Sequence, residues 1–101
     1  MEYNKLIRDK IPEIIKEKGQ TAITHIASDE EYWAKLKEKL SEEIQEFLKD
    51  ENPEEIADVL EVIYAILNFK NISREEIEKI RQEKAEKRGG FKDKIILEET
   101  H

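Results

Sequence analysis

The fold of this chain depends on residues 40–67, which read LSEEIQEFLKDENPEEIADVLEVIYAIL. Within this stretch, ten of the twelve residues 56–67 are apolar, and the two exceptions are Asp58 and Glu61. A helix that is apolar on nearly every side is typical of a buried position. An acid on such a helix is costly unless it has a partner, so Asp58 is a candidate functional residue.

The segment before it has the spacing of an amphipathic helix. At about 100° per residue, one apolar face is formed by Tyr32, Leu36, Leu40, Ile44 and Phe47. Glu43 falls inside this face, and Glu46 lies at its edge. Because these two acids are three residues apart, their side chains are expected on neighbouring turns of one helix face.

A turn at roughly residues 49–52 separates the two helices. So short a connection predicts that they pack antiparallel, which gives a core hairpin of residues 29–48 and 53–69. We expect this hairpin to be the centre of an all-α antiparallel bundle of about four helices. Apolar side chains of residues 56–67 face more directions than one hairpin covers, which predicts that oligomerisation completes the bundle.

The hairpin register brings four acids together. Glu55 and Asp58 are three residues apart, as Glu43 and Glu46 are. Folding the chain at the turn sets Glu46 near Glu55, and places Glu43 near Asp58 about 4.5 Å deeper along the axes. The sequence therefore predicts four carboxylates at one partly buried position.

Like charges so close in a medium of reduced dielectric repel by several kcal/mol, so the site must take up protons or bind cations. Oxygen ligands alone, with no cysteine and no pair of histidines, favour a hard ion, Mg²⁺ or Mn²⁺, over zinc. Magnesium in proteins is usually completed by water and substrate phosphates. The pattern therefore predicts phosphate chemistry.

Length and charge limit the class of protein. A chain of 101 residues predicts one domain, residues 1–101. The net charge of −7, from 25 acids and 18 bases, argues against a nucleic-acid polymer as partner. There is no cysteine, no signal-peptide pattern and no apolar run of 18 residues. We therefore expect a cytoplasmic protein without membrane contact.

The N-terminal part contains a mixed-charge run followed by a short helix. Pro12 suits the first turn of that helix, and Gly19 suits its end. Arg8 precedes the helix, and two interpretations are open for it. It lies on a solvated charged face, or it binds phosphate.

Two segments have the composition of strands. Residues 20–27 and residues 91–97 are rich in β-branched and apolar side chains without helical spacing, and we expect them to pair as a small two-stranded β ribbon. His25 lies in the first segment, and a lone histidine there is more often a structural residue than a ligand.

Capping signals mark the remaining helix ends. Ser28 with Glu31, and Ser73 with Glu76, have the spacing of a capping box. Asn52 and Pro53 start the third helix, so Glu55 has a capping interpretation as well as a ligand one. Capping does not account for Asp58, which favours the ligand interpretation.

The fourth helix is expected to run from Ser73 to about Arg88. Lys84 and Arg88 lie in its last turns, where basic side chains stabilise the helix dipole. Gly89 and Gly90 end the helix, and their open backbone also suits the approach of a phosphate.

The acids resemble the signature of the MazG-like all-α nucleoside triphosphate pyrophosphohydrolase superfamily, EExxE followed by ExxD. In this chain the signature reads EEIQE at residues 42–46 and EIAD at residues 55–58. Further segments, NKLIRDKIPEII, EYWAKLKEKLSEE and KRGGF, resemble a subfamily labelled phosphoribosyl-ATP pyrophosphohydrolase-like. The resemblance covers most of the chain.

The resemblance implies an enzyme that cleaves a nucleoside triphosphate between its α- and β-phosphates with Mg²⁺, or Mn²⁺ in its place. It implies Glu43, Glu46, Glu55 and Asp58 as metal ligands, and Glu42 as the catalytic residue that holds or deprotonates the attacking water. The nearby cations Arg8, Lys84 and Arg88 are then candidate phosphate-binding residues. A homodimer or homotetramer with the nucleotide between subunits is also implied.

Alternatives remain open at this point. The physiological substrate is either a modified or excess nucleotide, as in house-cleaning, or phosphoribosyl-ATP, as in histidine biosynthesis. In a different class, the chain is a non-catalytic helical dimerisation module, and its acids are solvated helix faces.

Overall fold

The computed structural model describes residues 3–101, and four helices account for most of that range. They are α1 (Ile11–Glu17), α2 (Asp29–Asp50), α3 (Pro53–Phe69) and α4 (Arg74–Arg88). The all-α prediction is confirmed. Helix α2 is two residues longer at its end than the sequence pattern indicates.

Helices α2 and α3 form the predicted antiparallel hairpin. Two residues join them, Glu51 in a left-handed conformation (φ 53°) and Asn52 as N-cap of α3. A left-handed residue is a common end of a helix because it turns the chain out of the helical path. At the other end of the hairpin, Trp33 of α2 stacks on Phe69 of α3 with 5.5 Å between ring centroids.

The core of the described chain lies inside this hairpin. The buried hydrophobic side chains are Leu36 on α2 and Val62 and Leu67 on α3. The edge of Tyr32 also contacts Phe69, so aromatic rings close the end of the hairpin away from the turn. Tyr32, Trp33 and Phe69 are therefore packing residues of the hairpin.

Local capping defines the helix ends as the sequence predicts. The hydroxyl of Ser28 accepts a hydrogen bond from the Glu31 amide (3.2 Å), and the hydroxyl of Ser73 accepts one from Glu76 (3.1 Å). Gly19, just beyond the end of α1, has a φ of 80°, a conformation in which glycine meets no Cβ penalty. The Glu31 carboxylate contacts His25 at 2.8 Å instead of completing the capping box.

The segment before α1 lies across the hairpin. The Lys35 ammonium on α2 donates a hydrogen bond to the Asn4 carbonyl at 2.8 Å, and Asn4 itself has a left-handed φ of 47°. Leu6 and Ile7 are half-buried. The segment is thus anchored on α2 before the chain enters α1.

The predicted β ribbon is not formed. Residues 20–27 and 91–97 are irregular, and no strand occurs between residues 3 and 101. Ile23 is 98% exposed and Ile95 is 83% exposed, so neither segment packs on an apolar surface. A two-stranded ribbon is marginal in water without such a surface, which explains why strand-like composition alone did not produce strands.

The described chain is more extended than a compact domain. Its radius of gyration is 18.1 Å, whereas a compact domain of this length has about 13 Å. Among the described helices, extensive contact is confined to α2 and α3. At the start of α4 the Arg74 guanidinium lies 3.6 Å from the centre of the Tyr64 ring, but no residue of α4 is buried.

None of the helices within residues 3–101 has both the length and the apolar character needed to cross a lipid bilayer.

Candidate metal centre

Three acids meet near the turn of the hairpin. Glu43 of α2 and Glu55 and Asp58 of α3 each present a carboxylate oxygen, and these three oxygens lie within 4.8 Å of one another. Oxygens on opposite sides of a bound Mg²⁺ are about 4.2 Å apart, so small side-chain rotations would let all three contact one ion. The donor set is therefore suited to a hard divalent cation, as the sequence predicts.

A second group of acids overlaps the first. Glu46 and Asp50 of α2 and Glu55 of α3 also present oxygens within 4.8 Å of one another. Glu55 belongs to both groups, whereas Glu46 belongs only to the second, more exposed one. The four predicted ligands are thus divided over two neighbouring groups.

Asp50 is the acid that sequence reasoning missed. It follows Glu46 by four residues, so the two side chains share a helix face. This spacing is a signal for a shared face, but the sequence pattern places Asp50 in the turn at residues 49–52. Because α2 continues through Asp50, the residue stays on the helix and faces the start of α3.

The cap of α3 sets the position of Glu55. The Glu55 amide donates a hydrogen bond to the side-chain oxygen of Asn52 at 3.0 Å, and Pro53 supplies the first turn. It is the backbone amide of Glu55 that serves the cap. Its half-buried carboxylate lies with the other acids, so the capping and ligand interpretations are compatible.

Basic side chains contact part of the acidic site. The Lys39 ammonium lies 3.3 Å from Glu43 and 3.4 Å from Glu42, and Lys5 lies 3.2 Å from Glu42. The Arg8 guanidinium donates to Asp58 at 2.7 Å. Each of these three acids thus has a positively charged neighbour from α2 or from the N-terminal segment.

Glu55, in contrast to these three acids, is surrounded by negative charges. Within residues 3–101 it forms no ion pair with a basic side chain. Partial burial raises the pKa of the Glu55 carboxyl, and the negative charges of its neighbours raise this pKa further; in order of effect they are Asp58, Asp50, Glu46 and Glu43. Uncompensated negative charge is therefore concentrated where the two groups of acids meet.

Glu42 lies beside the three-acid group without belonging to it. Burial raises the pKa of Glu42, but the hydrogen bond from Lys5 and the charges of Lys39 and Lys5 outweigh burial, so the pKa lies below its ordinary value. Glu42 is consequently ionised at neutral pH.

The three predicted phosphate-binding cations have different locations. Arg8 contacts the acidic site directly through Asp58. Lys84 and Arg88 lie on α4, are exposed, and form no ion pair with any acid in the described part of the chain. A single copy of the chain therefore brings Arg8 to the site but does not join Lys84 or Arg88 to it.

No family model matches this chain, and no solved structure matches it. A relative is an uncharacterised protein of Mycolicibacterium smegmatis, which is 51% identical over 41 residues. The matched region is 41% of this chain and 42% of the relative, so less than half of either protein is compared.

Proposed function

We propose that this protein is a Mg²⁺-dependent nucleoside triphosphate pyrophosphohydrolase of the MazG-like kind. It cleaves its substrate between the α- and β-phosphates and releases a nucleoside monophosphate and pyrophosphate. The observation that carries the proposal is the approach of Glu43, Glu55 and Asp58 oxygens to within 4.8 Å. Acids that repel one another at this distance are explained by a cation and an anionic substrate.

Each acid has a role in this proposal. Glu43, Glu55 and Asp58 hold the ion, and Glu46 extends the site towards Asp50 for a second one. When bound, Mg²⁺ neutralises charge on the triphosphate and lowers the pKa of water. Glu42 is ionised, so its carboxylate accepts a hydrogen bond from the water that attacks the α-phosphorus and turns that water towards it.

A pyrophosphate-release assay tests the proposal. The screen covers canonical and modified ribo- and deoxyribonucleoside triphosphates and phosphoribosyl-ATP, each with Mg²⁺. We expect Glu43→Gln and Asp58→Asn each to lower the rate about 100-fold or more, since loss of one charged ligand disturbs both metal affinity and position. Glu54→Gln is the matched control, because Glu54 is an exposed acid on α3 outside both groups.

The same screen separates the two substrate classes. Release from modified or several deoxynucleoside triphosphates supports a house-cleaning enzyme. Release restricted to phosphoribosyl-ATP supports the histidine-biosynthesis alternative. Absence of release from every compound, with the wild-type protein folded, would reject the enzymatic proposal.

A non-catalytic helical module is the second candidate. It is favoured by the apolar side chains that α3 leaves exposed, Ile56 at 54%, Leu60 at 43% and Ile63 at 36%. This function predicts that Mg²⁺ leaves the melting temperature unchanged. A metal enzyme instead gains stability from the ion, about 2.7 kcal/mol at 100 times the Kd.

The exposed face of α3 also supports a homo-oligomer, either a dimer or a tetramer. Ile56, Leu60 and Ile63 follow one another at helical spacing, so they form one stripe. A second copy is the partner we propose, because the hairpin alone buries few side chains and a second copy would bury this stripe. Lys84 and Arg88 would join a phosphate site only if the other copy brings them there.

A further inference from the structure

Residues 3–8, which we call the N-terminal strap, connect both helices of the hairpin. Lys5 contacts Glu42 on α2 at 3.2 Å, and Arg8 contacts Asp58 on α3 at 2.7 Å. Between them, Leu6 and Ile7 are half-buried. The strap therefore places two positive charges at the acidic site, and the Lys35 bond to the Asn4 carbonyl holds it on α2.

The strap and a divalent ion need the same carboxylate, that of Asp58. Asp58 presents one carboxylate to both the Arg8 guanidinium and the three-acid group. A cation that engages Asp58 would weaken the bond from Arg8 by occupying the carboxylate and by adding positive charge beside the guanidinium. Arg8 has a side chain that is 57% exposed, so it can turn away without unpacking the strap.

A cavity of mixed charge lies beside the strap. Its volume is about 200 Å³, it lies between the strap and α2, and its lining includes Lys5, Lys35 and Lys39 together with Glu38, which pairs with Lys35 at 3.2 Å. It borders Glu42, next to the three-acid group. An Arg8 guanidinium that leaves Asp58 would be free to bind the phosphates of a substrate held by the ion, because its planar fork suits a phosphate.

We propose that the N-terminal strap is an exchangeable counter-cation: Arg8 neutralises Asp58 when no ion is bound and transfers to the phosphates of the substrate when Mg²⁺ replaces it. The proposal rests on the proposed function, since it assumes that the three acids bind the ion. It predicts opposite effects of one substitution on two ligands. Loss of Arg8 strengthens metal binding and weakens phosphate binding.

The test uses Arg8→Gln with Lys10→Gln as matched control. Lys10 lies in the same part of the chain and loses the same charge, but it forms no ion pair within residues 3–101. Calorimetry first measures Mg²⁺ alone, for which we expect Arg8→Gln to bind about two to five times more tightly than Lys10→Gln, because an exposed ion pair is weak. It then measures inorganic tripolyphosphate at saturating Mg²⁺, for which we expect about tenfold weaker binding by Arg8→Gln.

A second measurement follows the exchange in the wild-type protein. The chain has four arginines, and Arg8→Lys identifies the side-chain Nε–H resonance of Arg8 by its absence. Addition of Mg²⁺ is expected to shift this resonance, and tripolyphosphate is expected to shift it again. A resonance unmoved by Mg²⁺ would contradict the exchange.

The outcomes separate this inference from the proposed function. If the wild-type protein binds Mg²⁺ and Asp58→Asn removes that binding, but Arg8→Gln behaves like Lys10→Gln with both ligands, the strap proposal is wrong and the metal site stands. If the wild-type protein binds no Mg²⁺, both proposals are wrong.

Discussion

Among single residues, Glu55 has the least favourable electrostatic surroundings in the acidic site. It is shared by both acid groups, and it lacks the basic neighbour that Glu43 and Asp58 have. Partial burial and the nearby acids raise the pKa of Glu55. A carboxylate in this position would stabilise a bound cation, and without a cation its charge opposes folding.

Removing this charge should have opposite effects with and without metal. A raised pKa means that the folded protein holds the Glu55 proton more tightly than the unfolded chain does. The contribution to stability is therefore most favourable below the unfolded pKa and is lost as pH rises through the folded pKa. At pH 7 without metal, we expect Glu55→Gln to melt at a higher temperature than the wild type.

Thermal melts at pH 7 and about pH 4, each with chelator or Mg²⁺, check this expectation. The advantage of Glu55→Gln should shrink at the lower pH, where the wild-type carboxyl takes up its proton. With saturating Mg²⁺ at pH 7 the wild type should melt higher, because the variant lacks a ligand. Glu54→Gln serves as control, and equal melting temperatures of all three proteins without metal at pH 7 would contradict the argument.

Among the helices, the start of α3 affects both the stability of the hairpin and the distances between the acids. Asn52 caps α3 through the Glu55 amide, and Glu51 turns the chain out of α2. The same two-residue turn therefore fixes the distance between acids on α2 and acids on α3. A change in the cap should alter the hairpin and the geometry of the acidic site together.

Asn52→Ala should cost about 1 kcal/mol of stability, while Asn52→Gly should cost only a few tenths, because glycine is tolerated at this position. Urea denaturation at one fixed protein concentration measures both. Ser73→Ala removes the equivalent cap of α4, which packs little against the hairpin, so we expect a loss below about 0.5 kcal/mol in global stability. A larger loss for Ser73→Ala than for Asn52→Ala would show that α4 contributes more to folding than its contacts indicate.

For the whole molecule, the main features are an extended shape and an exposed apolar stripe. The radius of gyration is 18.1 Å, and Ile56, Leu60 and Ile63 of α3 are exposed, which is why we propose a second copy as partner. A second copy on the stripe would bury it next to the acidic site, since Ile56 directly follows Glu55. Assembly and metal binding are then linked properties.

A charge on the stripe should prevent assembly. We expect Leu60→Asp to reduce the mass in light scattering to that of one chain and to lower the melting temperature, because a buried unpaired carboxylate is unfavourable. Gln82→Asp adds the same charge to an exposed position of α4, on the side opposite Ile77 and Ile80, and should leave the mass unchanged. A wild-type protein that is monomeric at micromolar concentration would reject the second copy as partner.

Much of the fold follows from local sequence. Helix periodicity and the caps at Ser28, Asn52 and Ser73 predict α2, α3 and α4 to within two residues, because these signals depend on neighbours within one or two turns. The approach of Glu43 to Asp58 follows in the same way from a short turn. The strand predicted at residues 20–27 from composition is wrong, because a two-stranded ribbon needs an apolar surface to pack on.

Spacing along regular helices is enough to predict the helices, the hairpin, the acids that converge at its turn and the contact of Lys39 with Glu42 and Glu43. The cations that the N-terminal segment brings to these acids depend instead on tertiary contacts. Arg8 and Asp58 are 50 residues apart in sequence, and their contact depends on how an irregular segment crosses two packed helices. No periodicity governs such a crossing, because the path of irregular backbone is set by contacts distant in sequence.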